Sequence, residues 1–120
     1  MQYEQMKSLL NSLDNPVDKL EMLMDFGAHL ESVPDDAMCS EILGCSSHVE
    51  ICRRGNNFYG RADSAIVSGV VAVLLAMVDG KTPEQIKNMD LVGEFYSLNL
   101  ALGAARLSGL NSIISFLQNL

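Results

Sequence analysis

Apolar residues recur along this chain with two periods, and the change from one to the other separates its helical parts from an extended part. Over residues 3–13, Tyr3, Met6, Leu9, Leu10 and Leu13 fall on one face of a helix. Asp14-Asn15-Pro16 then ends one helix and opens the next: Asn15 offers an N-cap oxygen, and Pro16 suits a first helical position, where no N–H is needed. The spacing predicts that this second helix runs to about Ser32 and buries Val17, Leu20, Leu23, Met24, Gly27 and Leu30, with Pro34 barring its continuation. Cys39 to Leu43 reads as a possible short edge strand. From Ser47 the period becomes two, with Val49 and Ile51 on one side and His48, Glu50, Cys52 and Arg54 on the other. Gly55-Asn56-Asn57 is turn chemistry, so Phe58 to Ala62 is expected to return as the partner strand of a hairpin.

Asp63 or Ser64 caps the next segment, Ala65–Val78, which is apolar on almost every side. A helix with no polar face belongs in the middle of a domain. Gly69 within it would let another backbone come close. Thr82-Pro83-Glu84-Gln85 is a capping box that opens a short helix. A further helical piece is expected over 91–98, and a last helix over 104–118 that buries Leu107, Leu110, Ile113, Ile114 and Leu117. The fold class expected is α+β: a small antiparallel sheet, hairpin plus possible edge strand, covered by helices around one buried central helix.

Composition narrows the functional classes. With 120 residues and 48% hydrophobic content, the chain is expected to form a single domain over 1–120. Its net charge is −7 and its cations form no block, so nucleic acid is not an expected partner and a basic protein surface is. The start shows no charged-then-apolar leader, and Ala65–Val78 is too short to cross a bilayer, so a soluble cytoplasmic protein without a membrane partner is expected.

Candidate chemistry centres on three cysteines, an odd number and too few for a disulfide framework. Cys39 and Cys52 fit ordinary packing positions, as free cysteine commonly does. Cys39, Cys45, His48 and Cys52 form one set of a Cys₃His list, but the paired short spacing usual for zinc is absent. His48 and Cys52 also lie roughly 13 Å apart along one strand face, so no metal site is expected. Cys45 is different: it follows a glycine in a loop and precedes Ser46 and Ser47. Backbone and hydroxyl donors near a thiol favour the thiolate, and His48 could add a proton or a positive charge unless it is simply a solvent-facing strand residue. No nucleophile triad, phosphate loop or lysine motif for pyridoxal phosphate is visible. A cysteine without a triad suits a sulfur or acyl carrier better than a hydrolase.

Four stretches in the same order resemble the SufE/CsdE family of sulfur acceptor proteins. Gly44-Cys45-Ser46-Ser47-His48-Val49 is similar to that family's G-C-x-S-x-V loop, and Asp63-Ser64-Ala65-Ile66-Val67-Ser68-Gly69 to its helix entrance. Asp79-Gly80-Lys81-Thr82-Pro83-Glu84-Gln85-Ile86 is similar to the segment that follows, and Arg106-Leu107-Ser108-Gly109-Leu110 to its R-x-x-G-L. The resemblance implies that Cys45 accepts sulfur as a persulfide from a pyridoxal-phosphate cysteine desulfurase. It implies delivery to an iron–sulfur scaffold protein, without a resident cofactor in the carrier itself. It also implies supporting or partner-binding roles for Ser47, Asp63 and Arg106, with Arg106 close to the Cys45 loop.

The chain departs from the family pattern at Glu50, where tryptophan is usual, and at Arg61, Ala62, Ser68 and Gly103. Glu50 and Arg61 are expected to share the outer face of the hairpin as an opposite-charge pair, directly opposed if the turn is Gly55-Asn56. Two other functions compete with the carrier. One is a thiol-independent module that regulates a desulfurase; the other is a scaffold that holds a nascent cluster, which would need three clustered cysteines.

Overall fold

The computed structural model describes residues Met1–Leu120 and has six helices and one three-stranded antiparallel sheet, the expected α+β arrangement. Its centre is α3 (Ala65–Val78), begun by Ser64, whose Oγ accepts the Val67 N–H at 3.4 Å. Val71, Val73, Leu74 and Val78 have no exposed surface at all. That follows from a helix with no polar stripe, which can only be stable if covered on all sides.

Helix α2 (Pro16–Ala28) lies directly against α3, with Asn15 Oδ1 accepting the Val17 N–H at 2.8 Å as its cap. The two backbones touch at paired glycines. A Cβ on Gly69 would collide with the Leu23 carbonyl oxygen, and one on Gly27 would sit 2.5 Å from the Gly69 nitrogen. Leu23, Phe26 and Gly27 are buried here.

Of the residues expected to be buried by α2, Leu20, Met24 and Leu30 are only half-buried, and two further expectations fail. The helix stops at Ala28 rather than near Ser32, because His29 leaves helical geometry and its Nδ1 lies 2.8 Å from the Asp25 carbonyl oxygen. Val17 is 61% exposed, because the first turn is rotated so that Lys19 packs inward instead. The Lys19 stem is buried and its Nζ donates to the Leu98 carbonyl at 3.0 Å, so an amphipathic side chain occupies an apolar place without orphaning its charge.

Helix α1 (Tyr3–Asn11) buries only Met6 and Leu10 of the five residues expected on its inner face. It is tied to α5 (Leu91–Tyr96) by Glu94, which accepts from the Tyr3 hydroxyl at 2.6 Å and from Lys7 Nζ at 2.8 Å. Helix α4 (Pro83–Lys87) begins with the anticipated capping box. The last helix, α6 (Ala104–Gln118), buries Leu110, Ile113, Ile114 and Leu117 and leaves Leu107 half-buried. No helix is long and apolar enough to cross a membrane.

The sheet order is β1 (Met38–Glu41), β2 (Val49–Arg54), β3 (Asn57–Ala62). The hairpin turns on Gly55-Asn56, which places Glu50 opposite Arg61 and Cys52 opposite Tyr59. Val49, Ile51, Phe58 and Gly60 are buried on the inner face, and on the outer face Arg61 Nε lies 3.0 Å from the Glu50 carboxylate. A charge pair thus stands where the resemblance expects a tryptophan. One cysteine expectation needs correction. β1 pairs Cys39 with Cys52 directly across the strands, and the two sulfurs are joined as a disulfide. The odd cysteine count is therefore one bonded pair plus the single free thiol of Cys45.

Candidate functional site

The free thiol lies in the loop between β1 and β2, and the loop's shape follows from a few local contacts. Gly44 has φ +90°, a left-handed conformation, and a Cβ there would fall 2.5 Å from Ser112 Oγ of α6. Glycine at this position therefore satisfies both the backbone and the helix beneath. The loop returns to the sheet at His48, whose N–H donates to Asp63 Oδ1 at 3.1 Å, while the Asp63 N–H donates back to the His48 carbonyl at 3.2 Å. Since Ser64 is the cap of α3, the Asp63 carboxylate is free to clamp the loop.

Cys45 is half-buried. Its thiol points to the Gly109 carbonyl of α6 at 3.6 Å, and a Cβ on Gly109 would sit 3.4 Å from the sulfur. Burial pushes the Cys45 thiol above its ordinary pKa, since removal from water penalises the thiolate.

Cys45, Ser46 and Ser47 border a recess of about 10 Å³, with Val67 of α3 below and Arg106 and Gly109 of α6 opposite; this is room for roughly one water. The structure thus brings Ser47 and Arg106 to the thiol. The Arg106 guanidinium also donates to the Leu102 carbonyl at 3.4 Å. His48 turns its ring elsewhere: Nε2 is 3.2 Å from Glu50 and Nδ1 is 3.9 Å from Glu41. Cys39 and Cys52 are grouped with Glu50, their ligand atoms within 4.8 Å of one another, and Cys45 does not belong to that group. A three-cysteine cluster site therefore does not form.

Gly109 and Ser112 were not singled out from sequence as site residues, although both touch the loop. A signal existed for the first. Glycine inside a helix costs about 1 kcal/mol relative to alanine, so its presence in Arg106-Leu107-Ser108-Gly109-Leu110 marks a close approach. A separate cavity of about 710 Å³, lined from α1, α2, α3 and β3, includes none of the expected site residues.

The chain matches the family model described as SufE, Fe-S metabolism associated domain, over residues 4–120. It is 34% identical over 105 residues to the sulfur acceptor protein CsdE of Escherichia coli (strain K12), covering 80% of this chain and 71% of that one. It is 30% identical over 114 residues to an uncharacterized SufE-like protein of Rhizobium meliloti (strain 1021), covering 85% and 81%. The solution structure of a hypothetical protein from Thermus thermophilus has the same fold, with a TM-score of 0.76 over 98% of this chain and 90% of that one, at 18% identity. With the family model spanning nearly all of its residues and a relative alike over most of both chains, the chain belongs to the SufE family.

Proposed function

We propose that this protein is a sulfur acceptor in iron–sulfur metabolism, with Cys45 as the atom that carries the sulfur. The observation that carries the reading is the seat of Cys45: the single free cysteine, half-buried against Gly109 and bordered by Ser47 and Arg106. The donor is a pyridoxal-phosphate cysteine desulfurase that holds a persulfide on its own cysteine. The Cys45 thiolate attacks the outer sulfur of that persulfide. The sulfur–sulfur bond breaks, and its electron pair leaves on the desulfurase cysteine. The Cys45 persulfide then passes its outer sulfur to an iron–sulfur scaffold protein by the same exchange.

The half-buried seat gives this cycle two states. Seated, the thiol is a weaker acid that gives less of the nucleophilic thiolate, and the same burial shields a persulfide from stray thiols. Lifted out of its seat, Cys45 regains ordinary acidity and can reach a partner's active site. Leu43, two positions before it and 80% exposed, offers an apolar contact beside the thiol. Asp63 holds the loop at its far end, and Arg106 lines the same recess as Cys45.

Incubation with a cysteine desulfurase and cysteine, followed by mass spectrometry of the peptides, tests the reading. The Cys45 peptide is expected to gain the mass of one sulfur atom; gain mainly on Cys39 or Cys52 overturns it. Cys45→Ser separates the carrier from a thiol-independent regulator. A carrier loses both sulfur uptake and stimulation of the desulfurase, whereas a regulator keeps the stimulation.

A further inference from the structure

The Cys45 loop is enclosed in a covalent ring. Cys39 and Cys52 face each other across the β1–β2 ladder, and the bond between their sulfurs closes a ring through Cys45. The two ends of that bond are unlike: Cys39 is exposed, whereas Cys52 has no exposed surface. β1 is also the weakest element of the sheet. It is four residues long, every one is exposed, and in the sheet it pairs only with β2.

We propose that Cys39–Cys52 is a thiol–disulfide exchange site, attacked at Cys39, whose state sets how freely the Cys45 loop leaves its seat. The consequence for sulfur transfer rests on Cys45 being the acceptor thiol. The reactant is a dithiol reductant. One of its thiolates attacks the accessible Cys39 sulfur, the bond to Cys52 breaks, and the electron pair leaves on the Cys52 sulfur, which takes a proton. The second thiolate of the reductant then attacks its own sulfur in the mixed disulfide and releases Cys39 as a thiol. The two electrons and two protons gained by Cys39 and Cys52 are those the dithiol loses on becoming a disulfide.

The bond controls the loop through its ends. While it is closed, β1 stays registered on β2 at the Cys39 position, and only residues 40–51 can move when Cys45 lifts. Once it is open, a short exposed strand can peel away with the loop, and the lifted state gains conformations that the ring forbids.

The test uses the full chain, oxidised in a glutathione redox buffer or reduced with dithiothreitol and then desalted. Iodoacetamide labelling is followed by peptide mapping, with glutathione adducts separated by mass. The oxidised protein is expected to yield a linked Cys39–Cys52 peptide and to label Cys45 at least fivefold more slowly than the reduced protein. Brief exposure to glutathione is expected to place the first adduct on Cys39. In Cys39→Ser, Cys45 is expected to label at the fast rate in both buffers. Cys39 and Cys52 remaining open to labelling after oxidation overturns the proposal, as does a Cys45 rate that is the same in both states of the wild-type chain. Failure of Cys45 to take sulfur from a desulfurase would overturn the acceptor reading while leaving these labelling results as they are.

Discussion

The contact between α2 and α3 and the seat of Cys45 on α6 are both built on glycine, yet they hold their parts with very different strength. At Gly27 and Gly69 two helices meet backbone to backbone, surrounded by Leu23, Phe26 and Val70, and neither position has space for a methyl group. At Gly44 and Gly109 a loop rests on a helix through one long thiol contact, a half-buried sulfur and a recess with room for one water. The first contact fixes the core, because a displacement would open voids in close-packed surroundings. The second rests on fewer and longer contacts, around a half-buried sulfur.

This contrast can be broken at the core first. Gly69→Ala places a methyl group on the Leu23 carbonyl, and overpacking against a backbone is expected to cost about 3 kcal/mol or more. Chemical denaturation should show a large fall in midpoint; a variant as stable as the parent would mean that the helices can move apart.

A smaller change is expected at the loop. Asp63→Ala removes the acceptor of the His48 N–H and is expected to destabilise the seated loop by about 1 kcal/mol, roughly fivefold. Labelling of Cys45 should accelerate by that factor while global unfolding changes little. An unchanged labelling rate would show that the clamp does not hold the thiol.

Acidity sharpens the same point. Burial raises the Cys45 pKa in the seated state, so the seat's stability is complete below the ordinary thiol value, about 8.5. It is lost as pH rises through the raised value. The pH–rate profile for labelling should bend above that ordinary value, and in Asp63→Ala it should move down toward it. A bend below it in the wild-type chain would mean that the thiolate is stabilised by groups around the recess.

The smallest effect belongs to the surface. Hydrogen bonds from Lys7 and then Tyr3 lower the Glu94 pKa, so its contribution is present above the ordinary carboxylate value and fades as pH falls through the lowered one. Because the carboxylate is well solvated, Glu94→Gln is expected to cost about 0.5 kcal/mol at neutral pH. The difference between variant and parent should shrink in acid.

Local chemistry made much of this molecule legible in its sequence. Asn15-Pro16, the Thr82-Pro83-Glu84-Gln85 box and the unbroken apolar run 65–78 each specify a helix boundary or a burial state without help from distant residues. Period two over 49–62 puts Glu50 and Arg61 on one face with either turn, and the structure selects Gly55-Asn56 and with it the directly opposed pair. What distant residues decide was not legible. Nothing near Cys39 announces that Cys52 lies opposite, because the register of β1 depends on the length and path of the loop between them. Val17 and Lys19 exchange places because Leu98, far along the chain, offers a carbonyl. Gly44 and Cys45 were visible as a motif, whereas their seat was only half visible: Arg106 was expected beside the loop, and Gly109 and Ser112 were not.

The position of that seat along the chain has a consequence in time. Cys45 and the carbonyl that receives its thiol are 64 residues apart in sequence, and α6 is made after the loop, the hairpin and α3. During synthesis the loop, the hairpin and even α3 can exist before anything is there to cover the sulfur. Until Gly109 and Ser112 have emerged and α6 has docked, the Cys45 thiol lacks the helix that covers it. The arrival of α6 therefore determines when the free thiol of Cys45 is first covered.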